Sequence, residues 1–210
     1  MPLHQMLRLN ADCSVALWKI EEEEADLRPL LRLTGEEEQD LSGITHPGQR
    51  AEWLACRVAM QYLTSEEGLA YAGLEKDEHG KPHLKSQSAR ISLSHTHGWA
   101  AAALHRTRPV GIDAEPLRKQ LKRVVPRVLS DSEIEHAAGD LDRLAVYWCA
   151  KEALYKLYGK RQLTFREHLH VEPFADGAER LVGHVRLPEY VVELTIYCLK
   201  IGPGLVAVAL

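Results

Sequence analysis

Two passages of this chain recur in the same order about half a chain apart. Leu33-Thr34-Gly35-Glu36-Glu37 precedes a long helical pattern bearing Trp53, and Leu129-Ser130-Asp131-Ser132-Glu133 precedes one bearing Trp148. Gly98-Trp99-Ala100-Ala101-Ala102-Ala103-Leu104 likewise resembles the C-terminal Gly204-Leu205-Val206-Ala207-Val208-Ala209-Leu210. The offsets lie between 95 and 106 residues in a chain of 210. A repeat of that period predicts an α+β fold made of two similar halves, over 1–105 and 106–210, related as a pseudo-dimer. Each half is expected to pack one long helix on an antiparallel sheet.

Local patterns fill in that frame. Cys13–Ile20 reads as a strand. A helix opens at Pro47, a residue tolerated in a first turn, and runs to about Thr64. Arg90–His95 and Trp99–His105 form a hairpin through Thr96-His97-Gly98, and Val110–Glu115 follows as a strand. Ser130 and Glu133 make a capping box that opens a short helix. The next helix spans about Leu141 to Tyr158 and stops at Gly159, which suits a left-handed C-terminal position. Strands are expected over about 168–174, 180–187, 190–201 and 205–210, with turns at Asp176-Gly177 and Gly202-Pro203-Gly204.

The totals exclude several classes. A net charge of −4 is poor footing for general nucleic-acid binding, which rests on clustered positive charge. No stretch approaches 18 uninterrupted apolar residues, and the N-terminus lacks a basic segment followed by an apolar run. A cytoplasmic protein is therefore expected. Cys13, Cys56, Cys149 and Cys198 are scattered and contain no C-x-x-C pair, which fits free thiols rather than a disulfide frame or a zinc site. Charge is nonetheless uneven. Residues 21–40 are acidic, whereas Arg118, Lys119, Lys122, Arg123 and Arg127 form a basic run. The run suits either a solvated helix face or a dock for an acidic protein or a phosphate.

Chemistry concentrates in two segments. In the strand Gly111-Ile112-Asp113-Ala114-Glu115, side chains alternate, so Asp113 and Glu115 share one face and Gly111 leaves room beside them. Neighbouring carboxylates repel unless a cation compensates. An edge strand with a solvated acidic face is the plainer alternative. In the helix carrying Trp148-Cys149-Ala150-Lys151-Glu152-Ala153-Leu154-Tyr155-Lys156, the residues Trp148, Glu152 and Lys156 form one stripe at i, i+4 and i+8. Lys151 lies about 100° away, within the stripe of Leu144, Tyr147, Leu154 and Tyr158. Three carboxylates suit a hard divalent cation such as Mg²⁺, and lysines suit phosphate oxygens. A surface ion pair between Glu152 and Lys156, with Lys151 snorkelling, accounts for the same residues. In the first half, Arg50, Trp53 and Arg57 share a helical stripe that presents two cations, either to a phosphate or to solvent. Ser94-His95 closes a strand, and Lys81-Pro82 follows Gly80 in a turn.

These segments together resemble the paired signature of the 4′-phosphopantetheinyl transferases. Gly80-Lys81-Pro82 and Ile91-Ser92-Leu93-Ser94-His95 match two further motifs of that family, in its order. The resemblance covers about residues 45–165, and the length and inferred repeat suit the monomeric surfactin-synthetase-activating type. It implies a pseudo-dimer with its active site between the halves, coenzyme A as co-substrate, and the serine of an apo acyl or peptidyl carrier protein as acceptor. It further implies that Asp113, Glu115 and Glu152 hold Mg²⁺, or Mn²⁺, against the coenzyme A pyrophosphate. Lys151 and Lys156 are expected near that pyrophosphate, and Asp113 beside the cofactor. Arg50, Arg57, Lys81, Ser94 and His95 are expected to bind coenzyme A, with His95 and Arg50 nearest its 3′-phosphate. Glu152 would take the serine proton and Lys156 would serve the departing 3′,5′-ADP. Glu133 aligns with a family glutamate, though its capping box explains it equally well. Ala114 stands where the family often carries a larger aliphatic residue. Two rival readings follow from the same residues: a non-catalytic coenzyme A-binding regulator, and a metal-dependent phosphodiesterase.

Overall fold

The computed structural model describes residues 3–160 and 163–210. Helix and sheet are mixed in the α+β manner. The chain divides into two compact units, Met1–Arg108 and Pro109–Leu210.

The first unit contains β1 (Leu3–Arg8), β2 (Cys13–Lys19), α1 (Glu24–Leu27), α2 (Gly35–Ser42) and α3 (Pro47–Glu66). The short hairpin β3 (Leu74–Lys76) and β4 (Pro82–Leu84) follows, then β5 (Arg90–Thr96) and β6 (Trp99–His105). Its main sheet runs β1-β2-β6-β5 with every neighbour antiparallel. The alanines of β6 pack at 0–1 % exposure, their small side chains admitting α3, whose Leu54, Met60 and Leu63 are fully buried. Each such side chain contributes about 1.5–3 kcal/mol by leaving water.

The second unit contains β7 (Gly111–Pro116), α4 (Leu121–Val124), α5 (Asp131–Ala137), α6 (Leu141–Tyr158) and α7 (Phe165–His168). It ends with β8 (Leu169–Val171), β9 (Arg180–Arg186), β10 (Val191–Ile201) and β11 (Gly204–Ala209). The sheet runs β7-β11-β10-β9-β8, again antiparallel throughout. Asp140 caps α6 by accepting the Arg143 amide at 2.9 Å, and Gly159 ends it at φ 72°. Gly111 lets α6 lie directly on β7: a Cβ there would stand 2.0 Å from the Ala153 carbonyl oxygen.

Each unit also contains a buried glutamate that completes its capping box and at the same time ties three elements together. Glu37 accepts the Thr34 amide, the Leu74 amide and Nε of Arg57 on α3, at 3.1, 3.2 and 3.1 Å. Glu133 accepts the Ser130 and Val171 amides at 2.7 and 2.9 Å and meets Lys151 on α6 at 2.6 Å. A buried carboxylate needs such a set, because desolvating an unpaired charge costs several kcal/mol.

Several short elements differ from the sequence patterns. β1, α1, α2, β3 and β4 carry no clear periodicity. The strand expected over 168–174 is confined to Leu169–Val171; Phe165–His168 before it forms one helical turn, with the Thr164 amide donating to His168 Nδ1 at 2.9 Å. The acidic run is largely consumed in ion pairs. Glu24 meets Arg50, Glu36 meets Lys85, Glu38 meets Arg28 and Asp40 meets Lys76. All four cysteines are free, and no helix among the described residues is long and apolar enough to cross a membrane.

Candidate active site

Strand alternation puts Gly111, Asp113 and Glu115 on the face of β7 that lies against α6. The α6 stripe of Trp148, Glu152 and Lys156 meets them there. Lys156 Nζ donates to Asp113 Oδ1 at 2.8 Å, and Trp148 Nε1 donates to Glu115 Oε2 at 3.1 Å. Arg118, three residues beyond Glu115, donates its Nε to Glu115 Oε1 at 2.8 Å. Asp113 and Glu115 are each 7 % exposed, so these charges are held largely out of water.

Glu152 sits between the two contacts, one helical turn from each. Burial pushes its carboxyl up to about 7; the negative charge of Asp113 adds to the rise, Lys156 opposes it, and Glu115 adds further. Burial also pushes Glu115 upward, against Arg118, while Asp113 reinforces the rise. Three carboxylates thus share one neighbourhood with two cations, leaving an excess of negative charge. The donors are all hard oxygens, which is the chemistry that Mg²⁺ selects. In the arrangement described, Lys156 and Arg118 already engage two of the carboxylates, and among the described residues no three His, Cys, Asp or Glu side chains converge as a ligand shell. The donor set fits a hard divalent cation, which would enter by exchange with those basic groups.

Lys151 stands elsewhere. Its ammonium has no exposure; it pairs with Glu133 and donates to the carbonyls of Val128 and Phe165 at 3.0 and 3.1 Å. Burial lowers its pKa and Glu133 opposes that. Lys151, expected near a pyrophosphate, is here turned into the core: one residue along the helix from Glu152 is 100° around it.

The expected first-unit ligands have the following partners. Arg50 uses four of its five N–H donors on Glu24, at 2.5 Å twice, and on the carbonyls of Leu41 and Ile44 at 2.6 and 3.0 Å. Arg57 is 6 % exposed, pairs with Glu37 and lies 3.1 Å over the Trp53 ring. In this arrangement both arginines engage partners within the first unit. His95 shares strand parity with Ile91 and Leu93 and meets Glu52 of α3 at 3.0 Å. Ser94 points to the opposite face and is buried, its carbonyl accepting the Cys56 thiol at 3.4 Å. Lys81 follows Gly80, whose φ of +88° makes the turn, and burial pushes its ammonium down to about 8.

Two partners in this site have roles that sequence patterns did not assign. Trp148 lies on the Glu152 stripe, but nothing in the pattern marks its indole as a donor to Glu115. Arg118 belongs to the basic run, and its i,i+3 spacing from Glu115 is the only signal. The rest of that run forms α4 and a 3₁₀ turn at Val125–Arg127, with Leu121 and Val125 buried. Lys119, Lys122, Arg123 and Arg127 are exposed beside Leu117 and Val124, each 39 % exposed.

Residues 109–200 match the family model of the 4′-phosphopantetheinyl transferase superfamily. That stretch contains Asp113, Glu115, Trp148, Glu152 and Lys156; the first unit lies outside it. No curated protein matches the chain.

Proposed function

We propose that this chain is a Mg²⁺-dependent transferase that moves the 4′-phosphopantetheine arm of coenzyme A to the serine hydroxyl of an apo acyl or peptidyl carrier protein. The observation that carries the reading is the meeting of Asp113 and Glu115 on β7 with Glu152 and Lys156 on α6, inside the stretch similar to this superfamily. Asp113, Glu115 and Glu152 would hold the cation, which when bound neutralises charge on the pyrophosphate. Glu152 takes the serine proton as the serine oxygen bonds to the β-phosphorus. The bridging P–O bond breaks, and Lys156 gives a proton to the departing 3′,5′-ADP oxygen or stabilises its charge. Holding these groups on two packed elements supplies the positioning that phosphoryl transfer requires. Arg50, Arg57, Lys81, Ser94 and His95 are the first-unit candidates for coenzyme A.

The exposed cations Lys119, Lys122, Arg123 and Arg127, flanking Leu117 and Val124, form the surface proposed to receive an acidic carrier protein. The two units are read as halves of an internal duplication, in the monomeric surfactin-synthetase-activating type, working in the cytoplasm. The supporting similarities are specific. Each unit pairs its first repeat strand with its last (β2 with β6, β7 with β11), and each buries a capping-box glutamate against a cation on its long helix.

The test is intact mass of an apo carrier protein incubated with the enzyme, coenzyme A and Mg²⁺, beside an EDTA control. A metal-dependent gain of one phosphopantetheine arm is expected. Glu152→Gln should lower the rate at least about a hundredfold, the lower bound for a general base. Charge reversal at Lys122 and Arg123 should raise KM for the carrier with kcat unchanged. Coenzyme A binding without transfer to any carrier class identifies a silent binder instead, and phosphodiester hydrolysis without a carrier identifies a phosphodiesterase.

A further inference from the structure

The two oxygens of Glu115 are held in unequal ways. Oε1 is held by Arg118, whose side chain is 54 % exposed and follows the end of β7. Oε2 is held by Trp148, whose ring belongs to a packed stack. Phe165 lies against the Trp148 ring with centroids 6.0 Å apart and planes 23° apart, and against Tyr155 at 5.2 Å and 29°. Phe165 is itself fastened, because its carbonyl accepts the wholly buried Lys151 ammonium. The indole can therefore move little, whereas Arg118 can leave into solvent.

We propose that Trp148 is a positioning residue: it pins Oε2 of Glu115 so that Oε1 is the oxygen presented to the divalent cation. Lys151 acts one step further back, holding the Phe165 platform on which Trp148 rests. The inference rests on the transferase reading of this site, and it adds a role to a residue that touches neither substrate nor metal. Partners that orient a metal-binding group typically change metal affinity ten- to a hundredfold when removed.

The test is Mn²⁺ titration of the full chain, followed by the loss of the free-ion electron paramagnetic resonance signal, for wild type, Trp148→Phe and Phe165→Leu. Trp148→Phe keeps an aromatic ring for the stack while removing the N–H donor along with the five-membered ring that carries it, and it should weaken Mn²⁺ ten- to a hundredfold. Phe165→Leu keeps the donor and loosens its platform, with a smaller loss in the same direction. It also keeps the question answerable should Trp148→Phe fail to fold, which circular dichroism reports. The wild-type tryptophan fluorescence should change on Mn²⁺ binding, and that change should be absent from Trp148→Phe. Wild-type affinity in both variants overturns the role of Trp148 and leaves the transferase reading standing. A wild-type chain that binds no Mn²⁺ overturns the metal site itself.

Discussion

Gly111→Ala is expected to prevent the second unit from folding. The added Cβ would lie 2.0 Å from the Ala153 carbonyl oxygen and 2.5 Å from the Leu157 amide nitrogen, which are main-chain atoms one helical turn apart on α6. No side-chain rotation relieves such contacts. Relief requires β7 and α6 to separate, and their packing buries Cys149 and Ala153 at 0 % exposure, with the Cys149 thiol donating to the Asp113 carbonyl. Overpacking a core commonly costs about 1–3 kcal/mol when side chains adjust. Here the obstruction is backbone, so the cost should exceed about 4 kcal/mol, a large part of the total stability of an ordinary domain. Thermal denaturation by circular dichroism checks this. A variant that melts cooperatively near the wild-type temperature would show that the close approach of β7 to α6 is not as described.

The second large effect concerns Lys151. Lys151→Met preserves most of the side-chain volume but leaves the Glu133 carboxylate, 1 % exposed, without its cation. Removing one partner of a buried pair costs about 3–5 kcal/mol, because the survivor is an uncompensated charge. The double variant Glu133→Gln/Lys151→Met removes both charges and should recover much of that loss. The measurement is the urea midpoint of the two single variants and the double variant. Equal losses in Lys151→Met and the double variant would mean that packing, rather than the unpaired carboxylate, governs the effect. The comparison also separates a core lysine from a substrate-binding one, since a lysine serving only the pyrophosphate would leave the urea midpoint almost unchanged.

Much of the site was legible because two short periods carry it. Period-two alternation puts Asp113 and Glu115 on one face of β7, and the 3.6-residue period aligns Trp148, Glu152 and Lys156 on α6. End signals were equally readable at Pro47, Ser130, Glu133 and Gly159. The partners of the first-unit arginines were not legible, because a sequence shows a cation without its counter-charge. Arg50 is answered by Glu24 and Arg57 by Glu37, and those partners lie 26 and 20 residues away, beyond any local pattern. Lys151 is a different case, since its position off the Glu152 stripe was visible from the helical period and points to the core. The strands β3 and β4, three residues each, pair only with one another and are too short to leave a periodic trace.

The Arg118 contact has a consequence for selectivity. A site whose carboxylates already carry basic counter-ions works as an ion exchanger rather than as an empty trap. On the proposed reading, Arg118 would give up Glu115 to a bound dication and regain its own hydration on the exposed side. Affinity is then a difference between two ion-pairing equilibria rather than the strength of one. On the same reading, a monovalent ion such as Na⁺ or K⁺ would gain less from the carboxylates than a dication does, and Arg118 would then favour the dication before any coordination geometry is tested.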